Sequence, residues 1–261
     1  MKHEGYKKRI EKLQDRVSCL EEINDRMVKD FDREREVVNS ALHEVRRFSS
    51  QLKMFSTKVV REIDGQYKDG AQQAAQSVIY ISEMISARLA YMDIELNPNA
   101  IENQTLVRAG IYKKFDKSKR LLSEAARRRE VRVNLNGVSR MEIEVLPIFE
   151  LLPFVLLDNG IKYSPKGQSV DVNFDMVNDR QVVTVASNGP SVSEDEQLRL
   201  CDRRFRGSQV YSMPGEGLGL FLAKKICDYH GIKMRIEIPR RSLYQIQGVD
   251  YCEFRVVLTF P

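Results

Sequence analysis

Gly215-Glu216-Gly217-Leu218-Gly219-Leu220 runs straight into the helical pattern Phe221-Leu222-Ala223-Lys224-Lys225-Ile226. Glycines at alternate positions let the backbone approach another group closely. A helix that starts there aims unpaired N–H groups and the positive end of its dipole into the turn, which makes a phosphate cradle. A plain tight turn ahead of a helix explains the glycines equally well, so the loop takes its weight from a second segment, Leu156-Leu157-Asp158-Asn159-Gly160-Ile161-Lys162-Tyr163-Ser164-Pro165. In the helix predicted over 147–163, Asn159 and Lys162 are three residues apart and share a face. Asn159 offers a carbonyl oxygen suited to Mg²⁺ beside phosphates, and Lys162 offers a compact positive charge. The bland alternative is an amphipathic helix whose wet edge happens to read Asn-x-x-Lys.

Composition bounds the class. The 261 residues, 42% hydrophobic, suffice for one large domain or two modest ones. Charged residues make up 30% with a net charge of only +5, which suits long solvated helices and gives no reason to expect a nucleic-acid partner. Cys19, Cys201, Cys227 and Cys252 are scattered, with no C-x-x-C spacing and no nearby pair of histidines. Neither a disulfide framework nor a zinc site is expected, and a reducing cytoplasm fits. The N-terminus lacks the apolar core of a signal peptide. The most apolar stretch, 145–157, is interrupted by Glu150 and two prolines, and is shorter than the roughly 20 residues that span a bilayer. The expectation is a cytoplasmic protein with no direct membrane insertion.

Residues 7–68 contain no proline and one glycine, Gly65. Their apolar residues recur at intervals of three and four: Ile10, Leu13, Val17, Leu20, then Asn24, Met27 and Phe31. This is a heptad seam with one polar residue, Asn24, at a core position, where it can set register in a parallel dimer. A second seam follows through Leu42, Val45, Ser49, Leu52, Ser56, Val59 and Ile63. The step from Val38 to Leu42 inserts four residues, a stutter that unwinds the supercoil locally. A second helix is predicted at about 71–96, with Val78, Ile81, Ile85, Leu89, Met92 and Leu96 on one face, and Asp69-Gly70 marking the turn between the two. Two antiparallel helices bury little alone, so a homodimer with a four-helix bundle is expected; packing of the hairpin on its own C-terminal half is the alternative.

Asn97-Pro98-Asn99 stops the second helix. Alternating strand patterns then appear at 131–135, 170–174, in part of 182–185, at 234–238 and at 254–260, with helical stretches near 117–129, 147–163 and 218–230. The order predicts an α+β chain: an N-terminal coiled coil and helical hairpin, then an α/β sandwich with helices on one face of a sheet. The expected divisions are a coiled-coil segment 1–40, a hairpin 41–98 and a catalytic domain 105–261.

Taken together, these segments resemble the histidine kinase family, within the wider superfamily of Bergerat-fold (GHKL-type) ATPases. Leu156 to Pro165 looks like its N box, Val185-Ala186-Ser187-Asn188-Gly189-Pro190 like its first glycine box, and Leu200-Cys201-Asp202-Arg203-Arg204-Phe205-Arg206-Gly207 like the F box that opens its ATP lid. Gly215 to Leu220 is similar to the second glycine box, followed by family-like Ala223-Lys224-Lys225-Ile226 and His230-Gly231. In the hairpin, Ala41-Leu42-His43-Glu44-Val45-Arg46-Arg47-Phe48 looks like the phosphoacceptor H box. With Leu42 at a and Val45 at d, His43 falls at b, on the outer flank of a bundle. Imidazole titrates near neutrality, which leaves a nitrogen free to attack phosphorus, and the adjacent Glu44 can orient the ring and take its proton.

The resemblance implies an ATP-dependent protein histidine kinase of a two-component system, working with ATP and Mg²⁺. His43 and Glu44 would be catalytic. Asn159, Lys162, Tyr163, Ser187, Asn188, Gly189, Arg206, Gly215, Gly217, Leu218 and Gly219 would bind ATP, with Asn159 also the metal ligand. Arg203, Arg204 and Arg206 lie in the implied lid at 202–214, where they could clamp a triphosphate or form a solvated basic loop. Partners would be a second copy of the chain, a response regulator receiver domain and a separate sensor. Where the family has an Asp that accepts the adenine amino group, this chain has Ser187, and a neutral acceptor there costs about 1–2 kcal/mol, roughly ten-fold in affinity. Val155, Phe48, Cys201 and Gly160 are further departures. They motivate two rivals: a degenerate phosphotransfer or scaffold protein with weak ATP binding, and an ATPase of the same fold that works as a clamp or phosphorylates serine.

Overall fold

The computed structural model describes residues 2–63, 68–211, 213, 215–239 and 242–261; side chains are described within these except at 2–13, 43, 46, 60–63, 68, 69, 71–73 and 103. The first helix, α1, spans Lys2–Ile63, and the second, α2, spans Lys68–Leu96. At 1.5 Å per residue α1 is about 93 Å long. Arg88 of α2 meets Ser40 and Glu44 of α1. These residues are about equally far from the connection, so the helices run antiparallel. Asp69 and Gly70, expected to mark the turn, lie instead within α2; residues 64–67 lie outside the described residues. An Asp in a first helical turn faces the positive end of the dipole, which makes it a helix start as readily as a turn.

The face of α1 that packs within the chain overlaps the expected seam only in part: Val45, Leu52 and Val59 are half-buried. Val37, Ala41, Phe48 and Phe55 are buried, while Leu42, Ser49 and Ser56 of the expected seam are exposed. The two columns are neighbours on the helix, offset by one residue. The one carrying two phenylalanines wins over the one carrying two serines, because burial of apolar area decides between them. On α2 the buried face is Ala74, Ile81, Met84, Ala87, Tyr91 and Ile94; Leu89 and Leu96 of the expected face are exposed. Before Glu36, every described side chain of α1 from Gln14 to Arg35 is exposed, including Asn24, Met27 and Phe31; Ile10 and Leu13 lie outside the described side chains.

The C-terminal half is a sandwich. Strands β1 (Val107–Gly110) and β3 (Glu142–Val145) form a small antiparallel pair. The main sheet has the order β2 (Arg132–Asn136), β4 (Ser169–Val177), β5 (Arg180–Pro190), β8 (Val249–Thr259), β6 (Lys233–Glu237), with β7 (Tyr244–Ile246) also on β8. Among the described residues, only the β2–β4 pair is parallel. Helices α3 (Ile111–Arg129), α4 (Leu151–Tyr163) and α6 (Gly219–Tyr229) pack together, with α4 in the middle and on β5. The short α5, Glu194–Arg199, follows β5. The helix expected over 147–163 is a 3₁₀ turn at Pro147–Glu150 that passes into α4. The core between layers is Phe149, Phe154, Leu157, Val170, Val172, Val183, Ile226 and Leu258, all nearly inaccessible.

Two polar ties hold the helical layer. Lys117 of α3 is buried and pairs with Glu150 at 2.9 Å and with Glu83 of α2, which links the sandwich to the hairpin. Burial works against its charge, but the two carboxylates prevail and hold its pKa above the usual lysine value. His230, at the end of α6, shares a short hydrogen bond of 2.6 Å between Nδ1 and the Ile226 carbonyl. Its Nε2 accepts from the Leu146 backbone N–H at 3.0 Å. An acceptor at Nε2 requires a neutral ring with its proton on Nδ1.

Burial pushes the His230 pKa below the usual histidine value. The unfolded chain therefore binds a proton that the folded chain resists, so stability falls as pH drops below about 6.5, by at most about 1.4 kcal/mol per pH unit. Denaturant melts from pH 7.5 to 5 are expected to show this loss in the wild type and a shallower one in His230→Gln. Equal slopes would contradict it.

Candidate functional site

A cavity of about 240 Å³ opens between α4, the sheet and the loop ahead of α6. Asn159 and Lys162 project from one face of α4 into it, and Tyr163 closes its edge. Lys162 Nζ donates to Tyr163 Oη at 2.9 Å and lies against Gly215. On the floor, Val185 and Ser187 alternate along β5 and face Phe254 and Val256 across the β5–β8 ladder. These four side chains make an apolar floor with the Ser187 hydroxyl in it. The opposite end has Lys162, the Asn159 carboxamide and the N-terminus of α6, a set suited to phosphate oxygens.

The glycine loop has the shape the cradle needs. Gly217 has φ +70°, and a Cβ there would stand 2.5 Å from the Phe205 carbonyl oxygen. Gly219, the first residue of α6, allows Asn159 to lie against the helix start, since a Cβ would stand 2.7 Å from Asn159 Nδ2. Gly189, Leu218 and the remaining loop residues line the same cavity.

Asn188 does not join them. Strand alternation turns it to the other face of β5, where its amide donates to Gln168 Oε1 at 2.9 Å. The three lid arginines separate. Arg206 lines the cavity, but its guanidinium donates to the carbonyls of Val210 and Met213, holding the lid to itself. Arg203 lies beside the Phe221 ring, and Arg204 pairs with Glu36 of α1 at 2.7 Å. The lid is anchored at its base by Glu196, which accepts from the Ser208 backbone N–H at 2.6 Å. That bond, with further help from Ser193, holds the Glu196 carboxyl below the usual range. The capping box Ser193-x-x-Glu196 that prepares this contact is readable in the sequence.

Helix α1 supplies a further wall: Glu44 is expected near the chemistry, whereas Arg47 and Phe48 are not singled out for the site by the sequence. Glu44, Arg47 and Phe48 line the same cavity. Arg47 pairs with Asp158 at 3.2 Å, its guanidinium lies 5.1 Å from the Phe154 ring, and Phe48 meets Phe154 edge-on with centroids 5.5 Å apart. Glu44 Oε2 stands 3.0 Å from Nε of the buried Arg88, which also donates to Ser40 at 2.8 Å. The His43 backbone is helical within α1; its side chain lies outside the described residues.

Among the described residues no cluster of three or more His, Cys, Asp or Glu could hold a metal ion. Asn159 Oδ1, a single hard oxygen beside Lys162 and the start of α6, would fit a Mg²⁺ ion that takes its other ligands from a bound phosphate and water. Among the described residues, no helix is long and apolar enough to cross a membrane.

Residues 148–261 match the family described as histidine kinase-, DNA gyrase B-, and HSP90-like ATPase. Signal transduction histidine-protein kinase ArlS of Staphylococcus aureus (strain USA300) is 32% identical over 111 residues, which cover 41% of this chain and 25% of that protein. The match spans about a quarter of the length of the curated relatives. Among solved structures, a mycobacterial sensor histidine kinase, MprB, is similar with 22% identity, a TM-score of 0.45 and coverage of 60% of this chain and 99% of that one. Full-length ShkA in complex with AMPPNP is similar with 14% identity, a TM-score of 0.48 and coverage of 85% and 45%.

Gly219→Ala is expected to displace the Asn159 carboxamide while leaving the sandwich intact. Its signature is a loss of about ten-fold or more in affinity for a Mg²⁺–nucleotide analogue with little change in melting temperature. Unchanged affinity by calorimetry would remove Asn159 from the site.

Proposed function

We propose that this chain, whose residues 148–261 belong to the histidine kinase-, DNA gyrase B-, and HSP90-like ATPase family, is an ATP-dependent protein histidine kinase that phosphorylates His43. The observation that carries this reading is the shared cavity. Asn159, Lys162 and the glycine loop line it from one side, and Glu44 and Arg47, neighbours of His43 in sequence, line it from the other. A triphosphate held at the first set has its terminal phosphate directed toward the second.

In this reading the base lies on the floor of Val185, Ser187, Phe254 and Val256. Lys162 and the N-terminal N–H groups of α6 hold the phosphates, and Asn159 Oδ1 holds Mg²⁺, which neutralises charge on the phosphate oxygens. Gly189, Tyr163, Leu218, Gly215 and Gly217 shape the walls. The protein's share in phosphoryl transfer is positioning and charge neutralisation. Arg206 becomes available to the triphosphate if the lid carbonyls release it. The proposed divisions are a signalling helix at 1–40, a phosphotransfer hairpin at 41–98 and a catalytic domain at 105–261.

A homodimer is part of the proposal. Val17, Leu20, Met27, Phe31 and Leu42 on α1, with Ile79, Leu89 and Leu96 on α2, leave large apolar side chains bare in the single chain. A second hairpin would cover them. A receiver domain of a response regulator would then take the phosphoryl group from His43. A separate sensor would act through the long exposed start of α1, and the chain would work in the cytoplasm.

Ser187 favours a second reading, a phosphotransfer or scaffold protein with weak nucleotide binding. Calorimetry distinguishes the two: the kinase reading expects wild-type binding of Mg·ATP, tightened about ten-fold by Ser187→Asp. No binding at millimolar ATP would leave only the second reading. With γ-labelled ATP, the expected product is acid-labile label that is lost in His43→Ala. Acid-stable label, or hydrolysis without label, would contradict the kinase reading.

A further inference from the structure

We infer that His43 receives its phosphoryl group from the ATP site of its own chain, not from that of a partner. The inference rests on the kinase reading above and adds which chain serves as the substrate. Its basis is a stripe along α1. Glu36, His43 and Arg47 are separated by seven and four residues, so all three positions fall on one side of the helix.

Both flanking positions are held by the catalytic half of the same chain. Glu36 pairs with Arg204 of the lid at 2.7 Å, and Arg47 pairs with Asp158 at 3.2 Å, next to the proposed metal ligand Asn159. Position 43 lies between these anchors, about 10 Å from one and 6 Å from the other along the helix axis. Directly after Arg47, Phe48 is buried against Phe154 of α4, which fixes the rotation of this segment. A helix clamped at both ends of one stripe presents the middle of that stripe to the domain that clamps it. Glu44 and Arg47 accordingly line the cavity with Asn159 and Lys162. For a partner's site to reach position 43, both ion pairs and the Phe48–Phe154 contact would have to open first.

The step is a transfer of one phosphoryl group. The lone pair of a neutral ring nitrogen of His43 forms an N–P bond to the γ-phosphorus of ATP. The bond from that phosphorus to the bridging oxygen breaks, and ADP leaves with its electron pair. The imidazolium then gives the proton on its other nitrogen to Glu44. Arg88, paired with Glu44 and bonded to Ser40, holds this turn of α1 against α2.

The test uses full-length chains carrying two different tags, co-expressed and purified through both tags so that every particle contains one chain of each kind. In the first pair one chain carries His43→Ala and the other Asn159→Ala; in the second, a wild-type chain is paired with a chain carrying both substitutions. Transfer within a chain predicts acid-labile label from γ-labelled ATP in the second pair, on the wild-type chain, and loss of label in the first pair to the level of each variant alone. Label on the Asn159→Ala chain of the first pair, with none in the second, would overturn the inference and leave the kinase reading standing. No label on the wild-type protein itself would overturn both. If the chains do not co-purify, mixing the two single variants decides the same question: label on mixing means transfer between chains, and its absence beside a labelled wild type means transfer within one.

Discussion

Helix α4 has thirteen residues with which to satisfy three neighbours, and the rest of the structure is arranged around that demand. One side, Leu152, Leu156, Leu157 and Ile161, is buried between the sheet and helices α3 and α6. A second side turns Asn159 and Lys162 into the cavity. A third offers Phe154 and Asp158 to helix α1, which answers with Phe48 and Arg47. Because Asp158 and Asn159 are consecutive, the surface that docks the hairpin and the surface proposed to hold phosphate cannot move independently. A shift or rotation of α1 reaches the Asn159–Lys162 end of the cavity through one short helix.

The interface combines two kinds of interaction with different consequences. The Phe48–Phe154 contact removes aromatic area from water and gives the docking its strength, while the Arg47–Asp158 and Arg204–Glu36 pairs are partly exposed and worth at most about 1 kcal/mol each. Such pairs set direction and register more than affinity. Lys117, buried among Glu83 and Glu150, is the exception, since removing either carboxylate would leave part of a buried charge uncompensated. The arrangement is a firm attachment at α2 and α3 and a looser one at the lid.

Much of this was legible in the sequence. The strand alternation located the main sheet to within about five residues, and Asn159, Lys162, Ser187 and the glycine loop, singled out in the sequence, line one cavity. The failures have physical causes. Phe48 read as a departure from a motif because sequence spacing does not reveal a ring from another helix. On α1 periodicity alone does not separate adjacent columns of the helix: within the chain the column with Phe48 and Phe55 is buried, while Leu42, Ser49 and Ser56 of the expected seam stay exposed. Asn188 entered the site through the resemblance of 185–190 to a glycine box; a motif match does not carry strand register, and β5 continues to Pro190, so alternation turns Asn188 away. Strands β1, β3 and β7 are three or four residues long, too short for a periodic signal.

The central claim is that α1 docks on the α4 of its own chain, with the His43 turn at the mouth of the site. The most direct measurement is cross-linking of Arg47→Cys with Asp158→Cys by a short bismaleimide, in a chain whose accessible thiols Cys19 and Cys201 are replaced by Ser, followed by denaturing electrophoresis. The account predicts a bridge within one chain, seen as a monomer of altered mobility whose peptides 47 and 158 are joined. A bridge found only between two chains, or none where each single cysteine is fully reactive, would contradict it.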